Sequence, residues 1–258
     1  MSELALRPPS FTGDIRAMTG RSVRLSMRNV EALIVSLALP VMLMLLFVYL
    51  FGGAIETGTE YVTYVVPGVI MLCAGFGSAT TAVSVAQDMH GGIMDRFRSM
   101  DIGGASVLAG HVVASVARNL MSTVLILAIA LLIGFRPQAD LLQWLAALGL
   151  LVLFVFAFSW ISAAVGLLAK SAEGANGFSF FVTFMPYPSS AFVPIDTMPS
   201  WIQGFAKYQP FTPVIESVRG LLLDMPVGNA PWLALAWCGG ILAVAVAASG
   251  YLFHRRIS

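Results

Sequence analysis

Residues 32–51 read ALIVSLALPVMLMLLFVYLF and contain no charged side chain. A helix needs about 20 consecutive apolar residues to cross the hydrocarbon core of a bilayer, and this stretch has that length. No small-residue cleavage site follows a short apolar core, so the stretch is typical of a permanent anchor rather than a removable signal. It predicts the first membrane-spanning helix of the chain.

The composition of the whole chain agrees with a membrane protein. Hydrophobic residues make up 58% of its 258 residues, charged residues only 10%, and the mean hydropathy is +0.87. In lipid every backbone N–H and C=O must be paired within the protein. The apolar runs lack the alternation of barrel strands, so we predict an all-α integral membrane protein. A net charge of +1 argues against nucleic acid as a partner.

Five further apolar segments predict, with the first, six helical spans in a single transmembrane domain, residues 1–258. Most basic residues flank one side of these spans, which places both termini in the cytoplasm. Arginine far outnumbers lysine, and Ala and Gly are abundant, which is typical of a GC-rich bacterial genome. The predicted spans are residues 32–51, 61–86, 105–134, 141–168, 174–190 and 232–253.

An amphipathic segment precedes the first span. Residues 11–28 carry apolar side chains at helical spacing, with arginines spread over the other faces. This pattern predicts an N-terminal helix lying at the membrane interface, where its arginines reach anionic lipid headgroups. A basic tail without a helix is the alternative.

A second amphipathic segment, residues 191–230, lies on the outer side. Its prolines predict two short helices, interfacial or re-entrant, that are too short to span the bilayer. Trp201 and Tyr208 are expected to be interface anchors, and the spacing of Glu216 and Arg219 allows an ion pair at i, i+3. We expect these four residues to form an external gate, or else a purely structural cap.

Polar residues within the third span form one helical face. His111, Ser115, Arg118 and Ser122 recur at helical spacing, and an arginine inside a membrane needs a partner or an aqueous exit. If the span begins near Val112, Arg118 lies about 9 Å deep at ~1.5 Å per residue, shallow enough to reach the inner surface. The pattern favours intramembrane bracing by His111 and Arg118, with substrate binding as the alternative.

The chain carries no recognisable energy-converting or metal site. Neither Lys170 nor Lys207 follows the glycines of a phosphate-binding loop, so no ATP is bound by that route. The two cysteines fall inside apolar runs and predict packing residues rather than a disulfide or a metal site. His90 and Asp95 have the H-x-x-x-x-D spacing of some acyltransferases, but this two-residue match lacks convergent polar groups and is a minor alternative.

Proton-coupled secondary transport is a second alternative. That mechanism requires a carboxylate within the membrane to carry protons. Glu31 and Asp88 both fall at the ends of predicted spans, which counts against it.

Two stretches of the sequence carry motifs. The first reads MDRFRSMD (94–101) and VLAG (107–110), and the second reads SAFVP (190–194), MPSWI (198–202), QPFTP (209–213) and RGLL (219–222). Together they resemble the membrane (permease) subunit of type-2 ABC exporters, in the branch of the daunorubicin-resistance permeases. The second stretch is the more specific, because its prolines, tryptophan and Arg-Gly occur in one order across about 30 residues. The family usually has proline where this chain has Asp101.

The resemblance implies an ATP-driven exporter subunit that is not itself an enzyme. It implies a self-dimer, or a pair with a homologous permease, docked on two copies of a separate ABC ATPase that binds ATP and Mg. This chain would bind no cofactor. The docking elements would be the N-terminal helix and a cytoplasmic coupling segment, residues 87–104. The coupling residues would be Asp88, Asp95, Arg96, Phe97, Arg98 and Asp101.

The resemblance also implies a path for an amphipathic drug, lipid or glycoconjugate between the first, second and fifth spans. The second span offers a small polar stripe, and the fifth offers phenylalanines suited to stacking on apolar cargo. Ordinary helix packing is the alternative for each. The candidate path residues are Gly77, Thr81, Ser84, Phe178, Phe181 and Phe184.

Overall fold

The computed structural model describes residues 30–91 and 104–257, and within these ranges it contains helices and no strand. The predicted all-α class is therefore confirmed for the described part of the chain. The predicted interfacial helix, residues 11–28, lies outside it. The helices are α1 (Val30–Leu46), α2 (Tyr61–His90), α3 (Gly104–Leu132), α4 (Leu141–Leu168), α5 (Ala172–Phe184), α6 (Ser200–Tyr208), α7 (Phe211–Leu222) and α8 (Ala230–Ile257).

Four of these helices, α2, α3, α4 and α8, are long and apolar enough to cross a membrane. The helix α1 is shorter, but a π-helical segment, Phe47–Phe51, continues it. The six-span count remains a prediction, since α1 and α5 fall below the length of the other four.

The helix α5 ends at Phe184, earlier than the fifth span was predicted to end, and residues 185–192 form turns. Proline has no N–H to continue a helix, and Pro186 and Pro188 follow directly. The turn supplies its own hydrogen bonds: the hydroxyl of Ser189 donates to the carbonyl of Pro186 and accepts from the N–H of Ala191. These two bonds stabilise the turn where the chain leaves the helix inside the bundle.

The helix α2 lies at the centre of the bundle and packs against α1, α3, α4, α5 and α7. Close approach depends on glycines. A Cβ added at Gly68 would overlap the backbone of Ala191, and one at Gly75 would overlap the ring of Phe211. The same holds on α4, where a Cβ at Gly166 would overlap α2. These positions therefore set the spacing of the bundle.

The two short helices predicted between the last two spans are present as α6 and α7. The helix α7 is buried along most of its length. Its first residue, Phe211, meets Phe154 and Phe158 of α4 with ring centroids 5.0 and 5.3 Å away. Such edge-to-face contacts add about 0.5–1.5 kcal/mol to the burial of the rings. The α7 segment is thereby part of the core rather than a surface cover.

The end of α7 is also tied to the start of α4. A reciprocal pair of hydrogen bonds caps α4: the N–H of Gln143 donates to Asp140, and the N–H of Asp140 donates to the Gln143 side chain, both at 2.7 Å. The Gln143 amide then donates to the Asp224 carboxylate at 2.6 Å. The turn after α7 is therefore held against the α4 N-terminus.

Replacing Gly68 by alanine should destabilise the protein, because the new methyl group overlaps the backbone of Ala191, which cannot move aside as a side chain could. Overpacking of this kind costs about 1–3 kcal/mol. Gly149→Ala on α4 is the matched control, since nothing lies within 4 Å of an added Cβ there. Thermal unfolding midpoints of the purified variants in detergent should fall for Gly68→Ala and hold or rise for Gly149→Ala. Equal midpoints would contradict the close contact.

Candidate functional site

Arg219 of α7 joins three elements at the end of the bundle that is predicted to face outward. Its Nε donates to the carbonyl of Tyr64 on α2 at 3.1 Å, and its Nη2 donates to the carbonyl of Ser190 in the turn after α5 at 2.6 Å. The guanidinium also lies over the Tyr64 ring, 3.8 Å from its centroid. Only 8% of Arg219 is exposed. We call this set of contacts the outer clamp.

The ion pair expected between Glu216 and Arg219 is not formed. Both residues belong to the described part of the chain, yet their charged groups lie outside salt-bridge distance, and Glu216 is exposed. Arg219 instead turns inward and donates to two buried carbonyls. Desolvation raises the pKa of the Glu216 carboxyl, and the nearby positive charge of Arg219 offsets only part of this rise.

The other two predicted gate residues lie on α6. Trp201 is 80% exposed and Tyr208 is 58% exposed. With Phe205 they form one exposed aromatic face of the helix. The indole N–H of Trp237 on α8 donates to the carbonyl of Tyr208 at 2.9 Å, which fixes the end of α6. The structure therefore separates the gate residues into a buried clamp and an exposed aromatic face.

The candidate path residues do not meet in one place. Gly77 faces α3, because a Cβ there would overlap the side chain of Asn119. Thr81 is buried, with only 1% exposed, and the hydroxyl of Ser84 bonds to the carbonyl of Thr80 within α2. On α5 only Phe178 packs into the bundle, beside Ala82 and Ala86. Phe181 and Phe184 lie on the exposed side of α5.

Phe184 belongs instead to a series of ring contacts that the sequence did not reveal. The consecutive centroid distances along this series are 4.6, 5.5, 5.4, 4.6 and 5.5 Å. It runs from α5 through the following turn to the π-helical end of α1, and we call it the aromatic ladder. The i, i+4 spacings on α5 and at the end of α1 are its local signals in the sequence. Its members are Phe180, Phe184, Tyr187, Phe192, Phe47 and Phe51.

A polar seam joins α2 and α3. The Nε2 of His111 lies 3.0 Å from a carboxylate oxygen of Asp88 near the C-terminal end of α2. Farther along, Nη2 of Arg118 lies 3.2 Å from both the carbonyl of Gly77 and the hydroxyl of Thr80. These contacts link the two helices, and the bracing role of His111 and Arg118 stays a prediction.

The helix that carries Arg118 begins well before Val112. The helix α3 starts at Gly104, and the guanidinium of Arg118 contacts α2 near the middle of that helix. The depth of Arg118 in the membrane, expected to be about 9 Å at ~1.5 Å per residue from Val112, stays a prediction. The expectation assumed that the helix begins where the hydropathy rises, whereas the helix starts earlier.

Most of the predicted coupling residues lie outside the described residues, and of the six only Asp88 is described. At the adjoining end of α2, Nε2 of His90 lies 3.2 Å from the carbonyl of Ala169. No group of three or more His, Cys, Asp and Glu that could hold a metal occurs in the part of the chain that is described. The coupling residues outside it are Asp95, Arg96, Phe97, Arg98 and Asp101.

Four helices that are long and apolar enough to cross a membrane, packed through close glycine contacts, indicate a multi-pass membrane protein. The particular family is shown by sequence: the model of the ABC-2 type transporter family matches residues 13–223, and the protein belongs to that family. The resemblance seen in the motifs is thus confirmed.

Curated relatives agree with the family. The chain is 33% identical over 220 residues to the daunorubicin resistance ABC transporter permease protein DrrB1 of Streptomyces coeruleorubidus, covering 84% of this chain and 78% of that protein. It is 24% identical over 236 residues to the probable doxorubicin resistance ABC transporter permease protein DrrC of Mycobacterium tuberculosis, covering 91% and 86%. It is 26% identical over 191 residues to the inner membrane transport permease YadH of Escherichia coli, covering 70% and 72%.

Replacing Arg219 by glutamine should destabilise the protein by about 2–5 kcal/mol, because two buried carbonyls lose charged donors and the ring contact is lost. The control is Arg136→Gln, since exposed Arg136 bonds only to carbonyls of its own loop and the preceding helix. The unfolding midpoint in detergent should drop markedly for Arg219→Gln alone. A shift no larger than that of the control would rule out a stabilising outer clamp.

Proposed function

We propose that this protein is the membrane-spanning subunit of an ATP-driven exporter in a bacterial plasma membrane. It moves an amphipathic or hydrophobic compound, such as a drug, lipid or glycoconjugate, out of the cell. Membership of the ABC-2 type transporter family carries this proposal, because the match extends over residues 13–223 and relatives are named as drug-resistance permeases. Both termini are cytoplasmic in this proposal.

The energy comes from a separate ABC ATPase, present in two copies, which holds ATP and Mg. The permease forms a dimer with itself or with a homologous permease. Its coupling segment, residues 87–104, and its N-terminal helix dock on the ATPase. Support comes from the motif at residues 94–101, where basic side chains flank Phe97.

The aromatic ladder supports an apolar, ring-containing cargo. Its exposed members Phe180, Phe184 and Phe51 present rings at spacings suited to offset stacking. A flat apolar molecule can continue such a series with little loss of rotamer entropy, since each ring is already held by its neighbours. The exposed aromatic face of α6 adds further ring surface on the predicted outer side of the membrane.

The alternatives have less support from the contacts. A proton-coupled mechanism needs a carboxylate that is free to exchange protons across the membrane. Asp88 is engaged by His111 near the inner end of α2. In the acyltransferase alternative His90 is the base, and its Nε2 lies beside the backbone carbonyl of Ala169.

The test is to purify the chain with its binding partners and reconstitute the complex in vesicles. An ABC ATPase should co-purify, its turnover should rise with the neutral aromatic probe 1-pyrenebutanol, and outward movement of the probe should stop on ATP depletion. Transport that survived ATP depletion but collapsed with the proton gradient would overturn the proposal.

Charge reversal in the coupling segment should separate the two subunits. The double variant Arg96→Glu, Arg98→Glu is expected to lose ATPase association at least tenfold, because two attractive charges at the interface become repulsive. Arg136→Glu, on the predicted outer side, should leave association unchanged. Co-purification measures both variants, and full assembly of the double variant would exclude this docking surface.

The ladder can be tested with two phenylalanines of the same helix. Phe184→Ala should raise the concentration of 1-pyrenebutanol needed for half-maximal ATPase stimulation about threefold to tenfold, since one stacking partner is lost. Phe181→Ala removes a ring outside the ladder that is at least as exposed, and it should have less effect. Equal effects of the two substitutions would show that the ladder has no special part in cargo binding.

A further inference from the structure

The hydrogen bonds of Arg118 within the described residues engage only one of its three nitrogens. The carbonyl of Gly77 accepts from Nη2 of Arg118 at 3.2 Å and from the hydroxyl of Thr80 at 2.8 Å, and the hydroxyl of Ser115 lies 3.5 Å from it. A carbonyl oxygen has two lone pairs, and within a helix one already serves the helical hydrogen bond. The neighbouring Asn119 donates its amide N–H groups to Ser115, and its amide oxygen lies beside Gly77. The Gly77 carbonyl is thus fully used, and Arg118 keeps donors that this carbonyl does not satisfy.

Arg118 also lacks a countercharge among the residues whose side chains are described, 38–91 and 107–252. No carboxylate there lies within salt-bridge distance of it. Asp88, on the same seam, is paired with His111 and lies eight residues from Thr80, about 12 Å along the helix. An arginine stays charged in proteins, so this part of the seam keeps a positive charge. Such a charge within a membrane is costly until an anion accompanies it.

Arg219 differs from Arg118 in that the protein itself supplies its hydrogen-bond acceptors. Its contacts are two carbonyls and a ring face, and it is almost wholly buried. Arg118 is only partly buried, and its Nε and Nη1 make no hydrogen bond within the described part of the chain. These two nitrogens can therefore donate side by side to a planar or tetrahedral anion.

Apolar residues occur near Arg118 along both helices of the seam. Val113 and Ala117 of α3 are exposed, and Phe76 of α2 is half-buried one residue before Gly77. An amphipathic molecule with one acidic group fits this pattern, because its charged end can meet Arg118 while its apolar body lies along the helix surface. A cationic compound would be repelled from the same place.

We propose that Arg118, with the hydroxyl of Thr80, binds a single acidic group, a carboxylate, phosphate or sulfonate, of an amphipathic cargo molecule. This inference rests on the proposed export function and narrows its substrate class to anionic amphipaths. The aromatic ladder involves α5 and α1, whereas the seam joins α2 and α3, so charge recognition and ring recognition are separable.

The test compares two probes that differ only in their end group, 1-pyrenebutyrate and 1-pyrenebutanol. The permease–ATPase complex is placed in nanodiscs of phosphatidylcholine, and probe binding by fluorescence anisotropy and ATPase stimulation are measured. The half-saturating concentration of the carboxylate should be about tenfold lower than that of the alcohol, the effect of one charge-assisted pair. Equal values in the unmodified complex would overturn the anion site and leave the export function standing. If neither probe binds or stimulates and no ATPase associates, the proposed function itself fails.

Substitutions in the polar seam test whether Arg118 causes the preference for the carboxylate over the alcohol. Arg118→Gln should weaken binding of the carboxylate about tenfold and that of the alcohol less than twofold, and Arg118→Lys should restore part of the difference. Arg136→Gln, on an exposed loop, should change neither. If Arg118→Gln does not assemble, Thr80→Val removes only the hydroxyl and should reduce the preference about threefold. A preference that survives in an assembled Arg118→Gln complex would contradict the assignment.

The same anion chemistry is available from lipid headgroups, and added phosphatidylglycerol distinguishes the two sources. If phosphatidylglycerol competes with 1-pyrenebutyrate in the unmodified complex but not in Arg118→Gln, a lipid phosphate occupies the site, which supports the anion site and assigns its occupant. If phosphatidylglycerol has no effect while the carboxylate preference persists, the acidic group belongs to the cargo.

Discussion

The enclosure of α2 by five other helices is the constraint on which the bundle depends. A helix surrounded in this way can approach its neighbours only where side chains are small, since lipid provides no hydrophobic force to offset a gap between helices. Gly68, Gly75 and Gly77 each face a different neighbour, and Gly166 of α4 faces α2 in return. Glycine inside a helix costs about 1 kcal/mol relative to alanine, and the close contacts on all sides offset that cost.

Arg219 and Arg118 both carry a positive charge within the bundle, and they differ in how that charge is stabilised. Arg219 spreads its charge over two carbonyls and an aromatic face, so it needs nothing from outside the chain. Arg118 shares one carbonyl with other donors and keeps two nitrogens open. In low dielectric such a difference is large, because an unmatched charge there is far more costly than in water. One arginine holds the fold together, and the other is suited to meet a partner.

Much of the fold could be predicted from the sequence, because in lipid an apolar run of sufficient length has no alternative to a helix. The prolines around α6 and α7 marked two short helices, and the same logic applied to Pro186 and Pro188 would have placed the end of α5. The outer clamp could not be predicted, because its hydrogen-bond acceptors are backbone carbonyls. Every residue has a carbonyl, so the sequence does not show which ones accept from Arg219. The ladder was equally hidden, since Phe47 and Phe192 are far apart in the chain.

The backbone acceptors of the outer clamp have a consequence for how the family can diversify. Every amino acid carries a carbonyl oxygen, so position 190 can change its side chain without losing the hydrogen bond from Arg219. Only Tyr64, whose ring lies against the guanidinium, is restrained by its side chain as well. The neighbouring Ser189 and Ala191 are less free, because the first supplies the hydrogen bonds of the turn and the second packs against Gly68. Sequence change at position 190 can therefore proceed without detaching α7 from the turn after α5.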